Sequence, residues 1–308
     1  MNRSQFAADV QEGLCRSGQK QLPPNYFYDD LGTTLFEAIT LLPEYGLARA
    51  DVRLIKTHAP DLAALCNRAR QIVELGSGTG SKTRPILTAW KQAPLYVPID
   101  VSQAALDRCR AELGGFTVHG VQGTYLEGLK MALAGRSKEP VLVLFLGSTI
   151  GNFDRDDVAP FLSEVHALLR SGDWLLLGTD LVKDHEQMLL AYDDPTGVTA
   201  AFNLNVLARI NRELGGNFNL RRFRHEARWN EEGRRIEMHL RSEGEQSVCV
   251  PGMQGPIEFL DGETIWTESS HKFDLAEICD AGMRGGFHCV TRWVDQEWPF
   301  AETLFVAQ

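Results

Sequence analysis

Ile72-Val73-Glu74-Leu75-Gly76-Ser77-Gly78-Thr79-Gly80-Ser81-Lys82 decides the fold: an apolar run breaks into three alternating glycines and then into a helical pattern. Glycine adopts φ > 0 and carries no Cβ. A strand that ends in Gly-x-Gly-x-Gly before a helix is therefore expected to bring bare backbone N–H groups beside a bound ligand. Neither the dinucleotide fingerprint G-x-G-x-x-G nor the phosphate loop G-x-x-x-x-G-K-[ST] matches this spacing. A nucleotide-like cofactor is expected here, with no diphosphate to accommodate.

The spacing Glu74-x-Gly76-x-Gly78-x-Gly80 resembles the first motif of S-adenosylmethionine-dependent methyltransferases of the Rossmann-like class, whose loop packs against a methionine moiety and a ribose. Downstream, the short apolar run Leu95-Tyr96-Val97-Pro98-Ile99 ends in Asp100-Val101-Ser102 and a helical stretch from Gln103 to Leu113. An acidic residue about 20 positions past the glycines, at the end of the next strand, is where a ribose diol is held. Asp100 is the expected ribose ligand. Capping the following helix is the other ordinary use of an Asp at such a place.

Strand and helix patterns alternate from Val52 onward: helix 52–68, strand 71–75, helix 81–91, strand 95–99, helix 103–113, strand 116–121, helix 125–134, strand 140–146, helix 156–169 and strand 172–179. Alternation at this pitch implies βαβ units and a parallel sheet, an α/β fold. The alternation then stops. Residues 184–212 read as helix interrupted at Asp193-Asp194-Pro195-Thr196-Gly197, and two strand-like runs, 221–229 and 235–242, flank the turn Asn230-Glu231-Glu232-Gly233. A helix at Leu275–Ala281 and a strand pair, Phe287 to Val294 and Thr303 to Ala307, close the chain. The expected organisation is a methyltransferase core of residues 48–183 plus 271–308, with an inserted α+β substrate-binding domain of 184–270 completed by 1–47.

The 308 residues are 44% apolar and 23% charged, an ordinary globular composition. Runs such as Val141 to Leu146 are too short to cross a bilayer, and Met1 to Asp9 has no apolar signal region. A formal charge of −10 without a basic patch argues against nucleic acid. The densest cationic stretch, Arg221-Arg222-Phe223-Arg224-His225, reads as a solvated face. The six cysteines show no metal-ligand spacing, which suggests structural thiols and no metal. A monomeric cytoplasmic enzyme acting on a small molecule, without nucleic-acid or membrane partners, is expected.

In an open α/β sheet, ligands bind at the carboxyl ends of the strands near the switch point. The stretch Leu144-Phe145-Leu146-Gly147-Ser148-Thr149-Ile150-Gly151-Asn152-Phe153 sits at such an end. Gly147 allows close approach and Asn152 offers a neutral amide, a candidate substrate clamp, although an Asn in a glycine-bounded turn commonly bonds its own backbone.

Further blocks carry a more specific likeness: Tyr26-Phe27-Tyr28-Asp29, Leu42-Pro43-Glu44-Tyr45, the Gly147 to Asn152 segment, Gly197-Val198-Thr199-Ala200-Ala201-Phe202-Asn203 and Thr267-Glu268-Ser269-Ser270-His271-Lys272-Phe273. Together they closely resemble the histidine N-alpha-methyltransferases of ergothioneine biosynthesis, from about Leu22 to the C-terminus. The resemblance implies that three molecules of S-adenosylmethionine trimethylate the α-amino group of L-histidine to hercynine, with mono- and dimethyl histidine as intermediates and S-adenosylhomocysteine as product. It puts Gly76, Ser77, Gly78 and Lys82 on cofactor-loop positions and Asp100 on the ribose. It puts Asn152 and Tyr192 on the α-carboxylate, Glu268 and Ser270 on the imidazole with Tyr45 close by, and Tyr28 and the Gly147 backbone on the amino group. Met238 would line the imidazole pocket.

Two departures stand out. Many methyltransferases have an acidic residue to meet the adenine amino group where this chain has Gly123-Thr124-Tyr125, so a hydroxyl or a backbone carbonyl is left for that contact. Tyr45 is followed by Gly46-Leu47-Ala48-Arg49 where the family often has a second Tyr and a Pro. Two other readings are a related methyltransferase of tryptophan or another aromatic amino acid, and a non-catalytic cofactor sensor. Glu268 with Ser270 argues against the first, because burying a carboxylate beside an apolar ring is costly. The intact loop and clamp argue against the second.

Overall fold

The computed structural model describes residues 3–308. Along the chain it forms α1 (Arg3–Cys15), β1 (Lys20–Gln21), α2 (Asp30–Thr40), α3 (Gly46–Leu65), β2 (Gln71–Leu75), α4 (Arg84–Ala89), β3 (Leu95–Asp100), α5 (Gln103–Glu112), β4 (Val121–Gln122) and α6 (Tyr125–Leu133). There follow β5 (Val141–Phe145), α7 (Arg155–Leu168), β6 (Trp174–Asp180), α8 (His185–Tyr192), α9 (Val198–Arg209), β7 (Phe223–Asn230) and β8 (Arg235–Ser242). The last elements are β9 (Gln246–Val248), β10 (Ile257–Phe259), β11 (Thr264–His271), α10 (Leu275–Arg284), β12 (Phe287–Val294) and β13 (Phe300–Ala307). These divide into two compact units, residues 1–46 with 183–270 and residues 47–182 with 271–308.

The second unit is built on a sheet of order β12-β13-β6-β5-β2-β3-β4, seven strands among the described residues. Strands β2 to β6 pair in parallel, while β13 runs antiparallel to β6 and β12. Side chains alternate across a strand, so a sheet covered on both faces needs apolar residues at every position. Val73, Val143 and Phe145 enter one buried cluster, while Ile72, Leu142 and Leu144 enter the other. Because β3 lies on one side of β2 and β5 on the other, the chain direction switches at β2, and the glycine loop leaves the sheet at that point.

The first unit pairs β1, β11, β8 and β7 in that order, with β7 and β8 in antiparallel register from Phe223↔Ser242 to Asn230↔Arg235. Helix α9 starts on the Asp194 carboxylate, which accepts from the Thr196 hydroxyl and from the backbone N–H of Val198 and Thr199. Burial pushes against the Asp194 charge, yet these three donors hold its carboxyl down at about 2. Asp29 caps α2 through Gly32 N–H and also accepts from Asn205 of α9, which locks the two helices together.

Three local expectations are corrected. The strand expected at 116–121 survives as Val121–Gln122 and a single bridge from Tyr96 to Val118, with residues 119 and 120 outside the ladder. The helix expected at 81–91 begins only at Arg84, so Lys82 lies in the turn before it. The basic run at 221–225 is a solvated face only in its arginines: Arg221 and Arg224 are exposed, whereas the alternation of β7 buries Phe223 and His225. The turn expected after β7 is present between Asn230 and Arg235, with Arg234 left-handed (φ 45°). Among the described residues no helix is long and apolar enough to cross a membrane, and no group of three or more His, Cys, Asp or Glu side chains is placed to hold a metal.

Candidate active site

Gly76, Gly78 and Gly80 all take positive φ, at 70°, 52° and 68°. Their N–H groups are not bare, contrary to expectation. Gly76 and Ser77 both donate to the Ile99 carbonyl (2.9 and 3.1 Å), Gly80 donates to Ser77, and Gly78 donates to Asp100 Oδ2 at 3.1 Å. A loop with no diphosphate to neutralise can use its donors to hold its own shape. What it offers a ligand is close approach: no atom lies within 4 Å of where a Cβ on Gly78 would stand.

Asp100 ends β3 beside this opening. Its Oδ1 accepts from Ser102 N–H at 2.9 Å, while the capping of α5 falls to the Ser102 hydroxyl. Burial outweighs these N–H donors and raises the Asp100 carboxyl above its usual range. Each carboxylate oxygen keeps a second lone pair for a ribose hydroxyl. Across the loop, a Cβ on Gly76 would come within 3.2 Å of the Tyr125 ring, which packs edge-on to Phe145 and Phe161. Gly123 N–H is spent on the Asp100 carbonyl and the Thr124 hydroxyl proton on Glu127. An open glycine cradle with a carboxylate at the adjacent strand end fits an adenosyl cofactor.

Behind the loop lies a set of buried charges. Lys82 Nζ meets the fully buried Asp51 Oδ2 of α3 at 2.7 Å, while 32% of the lysine side-chain surface stays accessible. Burial opposes the ammonium charge, but Asp51 outweighs it and raises the lysine pKa. The ammonium also sits 3.0 Å from where a Cβ on Gly147 (φ 71°) would stand, so Gly147 makes room for it. Burial, and next the Asp51 charge, push the carboxyl of buried Glu302 of β13 well above the carboxylate range.

Glu74 accepts from the Thr83 and Tyr96 hydroxyls, and burial raises its carboxyl to about 7 despite these donors. The sign follows directly. Between the ordinary carboxylate range and pH 7 the unfolded chain has ionised this group while the folded chain has not, so stability falls as pH rises through that window. Glu74→Gln, which cannot ionise, should flatten the fall, as urea unfolding at pH 5, 6, 7 and 8 would measure.

In the first unit, structure gathers several of the expected substrate residues. The Tyr192 hydroxyl, at the end of α8, bonds Ser270 Oγ of β11 at 2.7 Å, and its ring meets Tyr45 edge-on at 5.8 Å. Phe36 joins Tyr45 to Tyr28, and Phe202 of α9 packs edge-on to Tyr28 at 5.8 Å. Glu268, also on β11, is 9% exposed, and Met238 on β8 is buried. Tyr192 and Ser270, expected at opposite ends of the substrate, thus touch each other. In the second unit, Asn152 ends a single helical turn, Thr149–Asn152, that follows Gly147 and the left-handed Ser148.

Sequence reasoning missed Phe36 and Phe202 as parts of this aromatic cluster, and Asp51 and Glu302 as the surroundings of Lys82. A carboxylate within the largely apolar Phe300–Ala307 was the available signal for Glu302. Phe36 and Phe202 sit on amphipathic helices and look like any core aromatic.

A model of the family "Histidine-specific methyltransferase, SAM-dependent" matches residues 6–307. The chain is 42% identical over 303 residues to a histidine N-alpha-methyltransferase of Mycobacterium tuberculosis (strain CDC 1551 / Oshkosh), covering 96% of this chain and 93% of that protein. It is 44% identical over 310 residues to the histidine N-alpha-methyltransferase of Mycolicibacterium smegmatis, covering 97% and 94%. Among solved structures, the magnesium protoporphyrin IX methyltransferase of Synechocystis with bound SAH shares the fold at a TM-score of 0.50 and 13% identity, over 92% of this chain and 97% of that one. The chain belongs to the family of S-adenosylmethionine-dependent, histidine-specific methyltransferases.

Proposed function

We propose that this protein methylates the α-amino nitrogen of L-histidine three times, yielding hercynine, the entry reaction of ergothioneine biosynthesis. Bound S-adenosylmethionine supplies an electrophilic sulfonium methyl. The observation that carries the choice of substrate is the β11 wall, where Glu268 lies buried two residues from Ser270, whose hydroxyl meets that of Tyr192. A carboxylate and hydroxyls in a buried wall suit the two nitrogens of an imidazole, and they leave polar groups unpaired against an apolar ring.

In this reading Gly76, Ser77 and Gly78 seat the cofactor, Asp100 takes its ribose hydroxyls, and Lys82, held by Asp51, offers a cation to its carboxylate. Gly123, Thr124 and Tyr125 face its adenine. Asn152 and Tyr192 take the α-carboxylate of histidine, Glu268 and Ser270 its ring, with Tyr45 and Met238 beside them. An α-amino group has a reference pKa of about 7.7–8.0, so it must lose a proton before each transfer. Neutral partners at the amine, the Tyr28 hydroxyl and the Gly147 backbone, do not favour the ammonium form as a carboxylate would. The rings of Tyr28 and its neighbours can receive the growing cation, at about 0.5–2 kcal/mol each. The residues of 1–47 and 184–270 form the substrate-binding domain in this reading, and the enzyme acts as a cytoplasmic monomer.

The test is to incubate the protein with S-adenosylmethionine and a panel of amino acids. Mass gains of one, two and three methyl groups on histidine are expected. Gains on tryptophan or another aromatic amino acid instead would overturn the assignment.

A further inference from the structure

Behind the β11 wall a buried chain of hydrogen bonds crosses the first unit. Fully buried Asn203 on α9 directs its amide nitrogen to His225 Nδ1 at 2.8 Å and to the His239 carbonyl at 3.1 Å. Since a carbonyl can only accept, the amide orientation is fixed, and His225 Nδ1 must accept as well. The ring proton therefore sits on Nε2, which donates to the Tyr192 carbonyl at 2.7 Å. At the other end, the single hydroxyl proton of Thr267 is shared between the Asn203 amide oxygen at 2.8 Å and the Met238 carbonyl at 2.9 Å. Burial lowers the His225 pKa, which favours a neutral ring over the imidazolium. The chain links α8, α9, β7, β8 and β11, and thereby the backbone that carries Tyr192, Met238, Glu268 and Ser270.

Apolar residues would fill such a space at lower desolvation cost. A buried polar network instead selects one arrangement of the elements it joins. We propose that Asn203, His225 and Thr267 are positioning residues for histidine selectivity: His225 sets Tyr192 from behind through its carbonyl, and Thr267 sets the strand that presents Glu268 and Ser270. This rests on the reading that those residues hold histidine.

Glutamine can place its amide nitrogen where Nε2 stands, whereas asparagine reaches only as far as Nδ1. Binding of histidine to the protein loaded with S-adenosylhomocysteine, followed by calorimetry, separates the two. His225→Asn should weaken histidine binding about tenfold, while His225→Gln stays within about threefold of the parent chain. The affinity for S-adenosylhomocysteine alone should not move in either variant. Equal histidine affinity in the two variants, both unchanged or both reduced, would overturn the proposal. Should His225→Asn fail to fold, Thr267→Val against Thr267→Ser decides by the same rule, with loss expected only for valine. If the parent chain binds S-adenosylhomocysteine but not histidine, the substrate reading itself falls, and this proposal with it.

Discussion

Glu268→Ala is expected to weaken histidine binding about tenfold to a hundredfold, the range for losing a hydrogen bond to a charged group. Binding of the cofactor product should be unchanged. Glu268 stands on β11 between Thr267, tied to Asn203 and Met238, and Ser270, tied to Tyr192. Its strand is therefore held on both sides of it, and truncation removes the carboxylate without releasing the wall. The space and the lost polarity should admit larger apolar rings, so affinity for tryptophan or phenylalanine should rise as that for histidine falls. Glu268→Gln, which keeps the shape and one acceptor, should lie between. Calorimetric titration of the three amino acids into each variant reads this directly, and unchanged histidine affinity in Glu268→Ala would remove the carboxylate from the site.

How legible the molecule was depended on what each strand buries. β2 and β5 carry apolar side chains on both faces, and their limits in the sequence and in the structure agree to within a residue. β11 buries every residue but Trp266, yet reads Thr-Ile-Trp-Thr-Glu-Ser-Ser-His, so no hydrophobic period announces it. Its polar residues find partners on other elements, Thr267 on Asn203 and Ser270 on Tyr192, and only the family likeness drew them out. Lys82 was visible as a loop residue. Its partner Asp51 was not, because it lies inside α3 at a separation no local pattern spans. His225 was misread with its basic neighbours, since a charge run hides the strand alternation that turns one member inward.

Lys272→Met should lower stability by about 3–5 kcal/mol, the range for removing one partner of a buried ion pair. Lys272 Nζ lies 2.8 Å from Asp180 Oδ2, and both side chains are 0% exposed. The other carboxylate oxygen accepts from Trp298 Nε1 at 2.9 Å. Methionine fills most of the lysine volume, so the loss comes from a carboxylate stranded in the core rather than from a cavity. That carboxylate can escape by taking up a proton, so the deficit should shrink as pH falls from 8 towards 5, where a cavity would leave it constant. Asp180→Asn added to Lys272→Met should recover much of the loss for the same reason. The pair also bears on the candidate site. The Asp180 N–H donates to the hydroxyl of left-handed Ser148, and a Cβ on Gly151 would stand 2.9 Å from the His271 carbonyl, so the Gly147–Asn152 segment is moulded against this junction. Below its unfolding temperature, Lys272→Met should therefore show a higher KM for histidine than the parent chain, and the double variant should bring it back. Chemical denaturation across pH, with histidine kinetics on the same three proteins, tests both parts: a deficit independent of pH would mean that packing, not the stranded charge, is what the lysine protects.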